Sequence, residues 1–322
     1  MKEYSNSYKY IKIEGDSLEI SLVIFEQLMQ MAIIMLFGFI LVRLKFLTSE
    51  GSQQLANIVT KFIIPLVLML SFQQEYDGNQ LRLLGLSLMG SVLLVLSRIL
   101  VAHFLIKKGS KIDQYAVVFS NTAFMGIPII LPLLGYEGIF YLSMYIVTSG
   151  IFQFTYGIWL LSEGNEPVTF RNIFTNPASI GAFIGFLLYI SRIQLPETLY
   201  NGLDSIAGLS SPLGMILLGG YLARSQLKEI FLVKGNYWTV AVRLIISPLI
   251  GLFIFWVLPI NNPSVLLVLT IANCTPTAVN TALFSQIYGG DYEYGARIII
   301  LASFFSIITM PLIISLSSVV LL

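Results

Sequence analysis

Long apolar runs separated by short polar breaks dominate this chain. A helix needs about 20 apolar residues to cross the hydrocarbon of a bilayer. Ten such runs can be read, near 22–43, 53–72, 82–106, 114–134, 138–161, 177–193, 199–222, 236–258, 264–287 and 297–321. The breaks carry turn formers, as in TSEG, GYEG, PINNP and GGDYEYG. The longest, 162–176, lies mid-chain and is too short to be a domain. The pattern predicts an N-terminal extension at 1–20 and one all-α membrane domain at 21–322, in halves 21–161 and 177–322.

Five spans per half bring the second half into the membrane from the opposite side, which is the condition for an inverted repeat. Spans 2 and 7 align Pro65 with Pro212 and Asn57 with Asp204. Spans 4 and 9 each carry a polar break, SNTAFMGIP and CTPTAVNTA. Aligning Gly135 with Gly289 sets Ser120-Asn121-Thr122 on Cys274-Thr275-Pro276. Pro removes a backbone donor, and in lipid the freed groups must line a cavity or face protein. Gly126, Pro128, Pro276, Pro65 and Pro212 are the expected helix-breaking residues. Spans 4 and 9 should be interrupted near Asn121–Gly126 and Thr275–Pro276. Matched breaks in two halves point to a transporter's binding site. Span 9 adds Asn273, Thr277, Asn280, Thr281, Ser285 and Gln286, more polar groups than interhelical contact requires.

Composition agrees with a membrane protein. Of 322 residues, 56% are hydrophobic and only 11% charged, and mean hydropathy is +0.84. So few charges cannot coat a soluble fold. The net charge of +1 argues against a nucleic-acid partner. The single cysteine, Cys274, excludes an internal disulfide and reads as an inert buried residue. The first twenty residues lack a signal-peptide pattern, so span 1 is expected to act as an uncleaved anchor. Arg43, Lys45, Lys107, Lys108, Arg171 and Lys228 fall in alternate loops, which favours both termini outside. Arg98 and Arg243 lie inside spans 3 and 8, near their cytoplasmic ends, and are expected to snorkel to the interface. Lys61 and Asp204 are the other intramembrane charges, candidates for coupling to protons or sodium ions.

Other classes fare worse. Intramembrane proteolysis needs a Ser–His pair or two aspartates, and the chain offers His103 alone and Asp204 alone. A channel needs a filter or a line of charges. A P-loop is missing, so ATP drive would need another subunit.

The stretch FSNTAFMGIPIILPLLGYEGIFYLSMYIVTSGIFQF resembles the auxin efflux carrier family, as do the 1–2 hairpin and the end of the chain. The resemblance implies ten spans in two inverted repeats with crossed broken helices, as in bile-acid symporters. It implies a scaffold of spans 1, 2, 6 and 7 that dimerises, here through spans 2 and 7, and an elevator-like transport domain of spans 3–5 and 8–10. The plant members export auxin across the plasma membrane. This chain lacks their long central loop and is similar to prokaryotic members, some linked to malate or malonate. Asn121 matches the family asparagine that contacts a substrate carboxylate, and Pro276 matches the crossover proline of span 9. A family glutamine aligns with Ser149, one turn before Gln153. With Thr122, Thr275 and Asn280 these form the expected site for a small organic anion, with no cofactor and no metal.

Overall fold

The computed structural model describes residues 17–106, 110–165, 176–224, 234–258, 260–288 and 290–321. Among them all regular structure is helical. The first half holds α1 (Ser17–Arg43), α2 (Ser49–Ser71), α3 (Gly78–Leu105), α4 (Lys111–Val118) and α5 (Thr122–Leu161). The second half holds α6 (Pro177–Ile190), α7 (Glu197–Ala207), α8 (Ser210–Arg224), α9 (Gly235–Val257), α10 (Pro263–Cys274), α11 (Asn280–Ile287) and α12 (Tyr292–Leu321). Most of the N-terminal extension and the loop cations Lys107, Lys108, Arg171 and Lys228 lie outside the described residues.

Among the described residues seven helical stretches are long and apolar enough to cross a membrane, and α6 and α10 are shorter apolar helices. The ten runs of the sequence therefore do not become ten straight helices. Runs 4 and 9 are each interrupted, and α5 carries the end of run 4 and all of run 5 through 40 residues. The chain bends inside α5 at Gly135, whose φ of 60° and ψ of −155° suit glycine alone. Large apolar side chains such as Leu22, Ile33, Phe62, Phe253 and Trp256 point outward, the surface a bilayer would cover.

Three prolines expected to kink or break helices, or of the same kind, are absorbed instead. Pro65, Pro128 and Pro248 each follow a π turn, at Val59–Ile63, Thr122–Gly126 and Val242–Ile246. A proline clashes with the carbonyl four residues back. Here the residue before each proline bonds five residues back, as Ile64 N–H does to the Val59 carbonyl, and the widened turn removes the clash. Pro65, Gly126 and Pro128 therefore sit within continuous helix and do not interrupt it. Pro212 lies in the first turn of α8, where no N–H is needed, and the local break is at Gly208–Leu209 before it.

Glycines set the closest helix contacts. A Cβ on Gly38 of α1 would strike the Ile216 backbone of α8, and one on Gly219 would strike Met35. In the same way Gly181 and Gly185 of α6 lie on the backbones of Pro65 and Met69 of α2. The glycines of span 7 thus serve contacts within the chain, with Gly214 against Phe124 and Gly220 near Val42. Gly219→Ala is expected to cost about 1–3 kcal/mol through overpacking. Gly85→Ala, with nothing near its Cβ, should gain about 0.5–1 kcal/mol of helix stability. Melting temperatures in detergent that fall for Gly219→Ala and hold or rise for Gly85→Ala would match this packing.

Candidate functional site

The two interruptions meet. α4 ends at Val118 and α5 restarts at Thr122, while α10 ends at Cys274 and α11 restarts at Asn280. The extended residues between them pair as a single antiparallel bridge, Ser120 opposite Thr277. Asn121 N–H donates to the Pro276 carbonyl at 2.8 Å, and Ala278 N–H donates to the Phe119 carbonyl at 3.0 Å. The break of the first half lies at Phe119–Asn121, earlier than Gly126 and Pro128 placed it, and Ser120 faces Thr277 across the crossing.

The carbonyl ends of α4 and α10 receive side-chain donors. The Ala116 carbonyl accepts from the Thr277 hydroxyl at 3.1 Å and the Val118 carbonyl from Arg98 at 3.3 Å. Arg243 reaches the Val117 carbonyl at 3.5 Å, Asn273 at 3.4 Å and Thr275 at 2.5 Å. Arg98 also donates through Nε and Nη2 to Asn273 Oδ1, at 3.0 and 2.5 Å. Both arginines are fully buried, so neither snorkels. The cause is local: a helix C-terminus carries about half a negative charge, and two such ends converge here. Hydropathy sets the depth of these residues but not their facing. Among the described residues no salt bridge joins either guanidinium to a carboxylate.

A chain of hydroxyls crosses the same place. Arg98 Nη1 donates to Tyr145 OH, which lies 2.7 Å from Ser120 Oγ. Ser120 Oγ is 2.9 Å from Thr122 Oγ1, and that atom is 3.1 Å from Thr275 Oγ1. Asn280 Nδ2 donates to Gln153 Oε1 at 2.9 Å, and Gln153 Nε2 donates to Ser149 Oγ at 3.2 Å. Asn121, Thr122, Ser149, Gln153, Thr275, Pro276 and Asn280 therefore gather at or beside the crossing. Tyr145 is a further member that sequence reasoning passed over, and Arg98 and Arg243, expected at the interface, join it here.

The N-terminal ends differ from the carbonyl ends. Neither α5 nor α11 has a side-chain cap. Asn121 Nδ2 and Thr281 Oγ1, one at each helix start, are buried with no hydrogen-bond partner. Lys61, by contrast, is exposed on the π turn of α2. Asp204 is half-buried on α7 and accepts from Tyr136 OH at 2.5 Å, beside the Gly135 bend. His103 is exposed, and Cys274 is buried and free.

The model of a family described as membrane transport protein matches residues 23–314. The chain belongs to this family, that of the auxin efflux carriers. Its members are transporters rather than enzymes, and this one is a multi-pass membrane protein. An uncharacterized transporter of Methanocaldococcus jannaschii is 24% identical over 300 residues, 87% of this chain and 94% of that protein. Within this transporter the two buried arginines are the groups to test first. Arg243→Met orphans the Thr275 carbonyl and its neighbours, at about 1–3 kcal/mol per buried acceptor. Its melting temperature in detergent should fall well below that of Arg82→Met, which alters an exposed side chain.

Proposed function

We propose that this chain is a secondary carrier that moves a small organic anion, a carboxylate or dicarboxylate, across the plasma membrane by alternating access. One observation carries the reading. The negative helix ends at the crossing are neutralised by Arg98 and Arg243, while both positive helix starts keep orphaned donors. Buried charge in lipid needs a counter-charge, and an anion supplies it. Asn121 Nδ2 is the free donor aimed at this role, with Thr122, Thr275 and Asn280 around it.

Ten spans in two inverted repeats fit the contacts. In the register that pairs Pro65 with Pro212, Gly38 on Ile216 has its counterpart in Gly185 on Met69. The two bonds of the crossing are reciprocal as well. An elevator motion would carry spans 3–5 and 8–10 past spans 1, 2, 6 and 7. A homodimer through spans 2 and 7 would have to use outward residues such as Ile58 and Phe62, since Gly214, Gly219 and Gly220 of span 7 face inward. Both termini would lie outside.

A thermal-shift screen of the purified protein against mono- and dicarboxylates tests the substrate class. Asn121→Ala should then lower uptake of the stabilising anion into proteoliposomes about 10- to 100-fold, the worth of one charge-assisted hydrogen bond. Uptake at the original rate would remove Asn121 from the site.

A further inference from the structure

Asp113 is the one buried carboxylate among the described residues. It stands in the first turn of α4 and closes a capping box with Ser110, whose N–H and hydroxyl donate to Oδ2 at 2.8 and 2.9 Å. Thr239 of α9 donates to Oδ1 at 2.7 Å. Tyr294 of α12 shares its hydroxyl between the two oxygens, at 2.8 and 3.0 Å. No salt bridge reaches Asp113 among the described residues. A second observation lies one turn before Thr239 on the same buried face of α9. Asn236 is fully buried there, and neither its amide oxygen nor its amide nitrogen has a partner.

Two rungs join α4 to α9. Asp113 bonds Thr239, and one turn further on both helices the Val117 carbonyl bonds Arg243. The second rung is part of the crossing. A change at the first rung therefore acts on the frame that holds the crossing, through a rod of eight residues. We propose that Asp113 is a proton-binding site that couples proton movement to transport, an inference that rests on the carrier reading above. The exchange balances simply. A proton from water adds to one carboxylate oxygen, which then donates to Tyr294; the Tyr294 hydroxyl turns from donor to acceptor, and the charge of Asp113 is lost. Because Tyr294 already spans both oxygens, no heavy atom has to leave.

Few titratable groups surround it. On α4, Lys111 is exposed and Tyr115 buried; on α9, Arg243 lies one turn deeper. On α12, Glu293 is exposed and Arg297 pairs with Asp291 at 3.8 Å. α3 contributes the exposed His103, α11 is followed by Tyr288, and the last turn of α5 contributes none. Tyr294 is the one of these that bonds Asp113 directly.

The test is infrared difference spectroscopy of the full chain in lipid, acidified from neutral pH. A protonated-carboxyl band should grow in, and Asp113→Asn should lack it. Tyr294→Phe removes a donor to the charged form, so its band should grow in at higher pH than in the original protein. In proteoliposomes an imposed pH gradient should drive malate uptake, and Asp113→Asn should lose that drive while keeping malate counterflow. A band unchanged in Asp113→Asn, gradient-driven uptake surviving in that variant, or an unmoved band in Tyr294→Phe overturns the assignment. Tyr294→Phe keeps the carboxylate and decides the matter if Asp113→Asn does not assemble. Absence of malate counterflow in the unaltered protein counts against malate as cargo, and the infrared titration still decides Asp113.

Discussion

A helix that stops inside a membrane leaves its last carbonyls with neither a partner nor water. Two helices stop in this way, α4 and α10, and they stop against each other. The rest of the site follows from how those carbonyls are supplied with donors. Two backbone N–H groups, three threonine hydroxyls and two arginines do it. The arginines add more than hydrogen bonds. Each puts a full charge where a helix end offers about half of the opposite sign, so the crossing keeps a positive excess. Asn273 then fixes Arg98 through its side chain and receives Arg243 on its carbonyl, which ties both cations to one residue. Gly251 makes room for this, since a Cβ there would collide with the Asn273 amide.

The polar site is thus an arrangement of backbone ends, and its side chains serve the backbone first. Thr275 bonds the Ala272 carbonyl at 2.9 Å and touches Thr122 at 3.1 Å. Tyr145 links a cation on α3 to the hydroxyls of both breaks. Hydroxyl chains polarised by a buried charge are stiff, because each bond strengthens the next. Such stiffness would suit the moving body of the carrier proposed above.

Much of this fold is legible in the sequence. Apolar runs mark the spans because lipid leaves a helix no alternative for its backbone. Pro276 marks the second break well, since its missing N–H falls where the chain leaves α10. Pro128 misleads, because a π turn can absorb a proline at little cost and hydropathy does not report turn width. Gly214, Gly219 and Gly220 of span 7 announce close packing but not their partners, which are α5 for the first and α1 for the other two. Arg98 and Arg243 look interfacial by depth, and only the facing of α3 and α9 turns them inward. The capping box at Ser110–Asp113 is visible in the letters, yet its burial depends on α9 and α12.

The glycine contacts bear on how the protein is made. α1 packs along α8, and Gly38 meets Ile216 across most of the first half and part of the second. During synthesis α1 enters the bilayer long before α8 exists. It must wait there with Gly38 against lipid while α2 to α7 are threaded in. An early helix is thus seated late, and until α8 arrives the membrane covers the face that α8 will take.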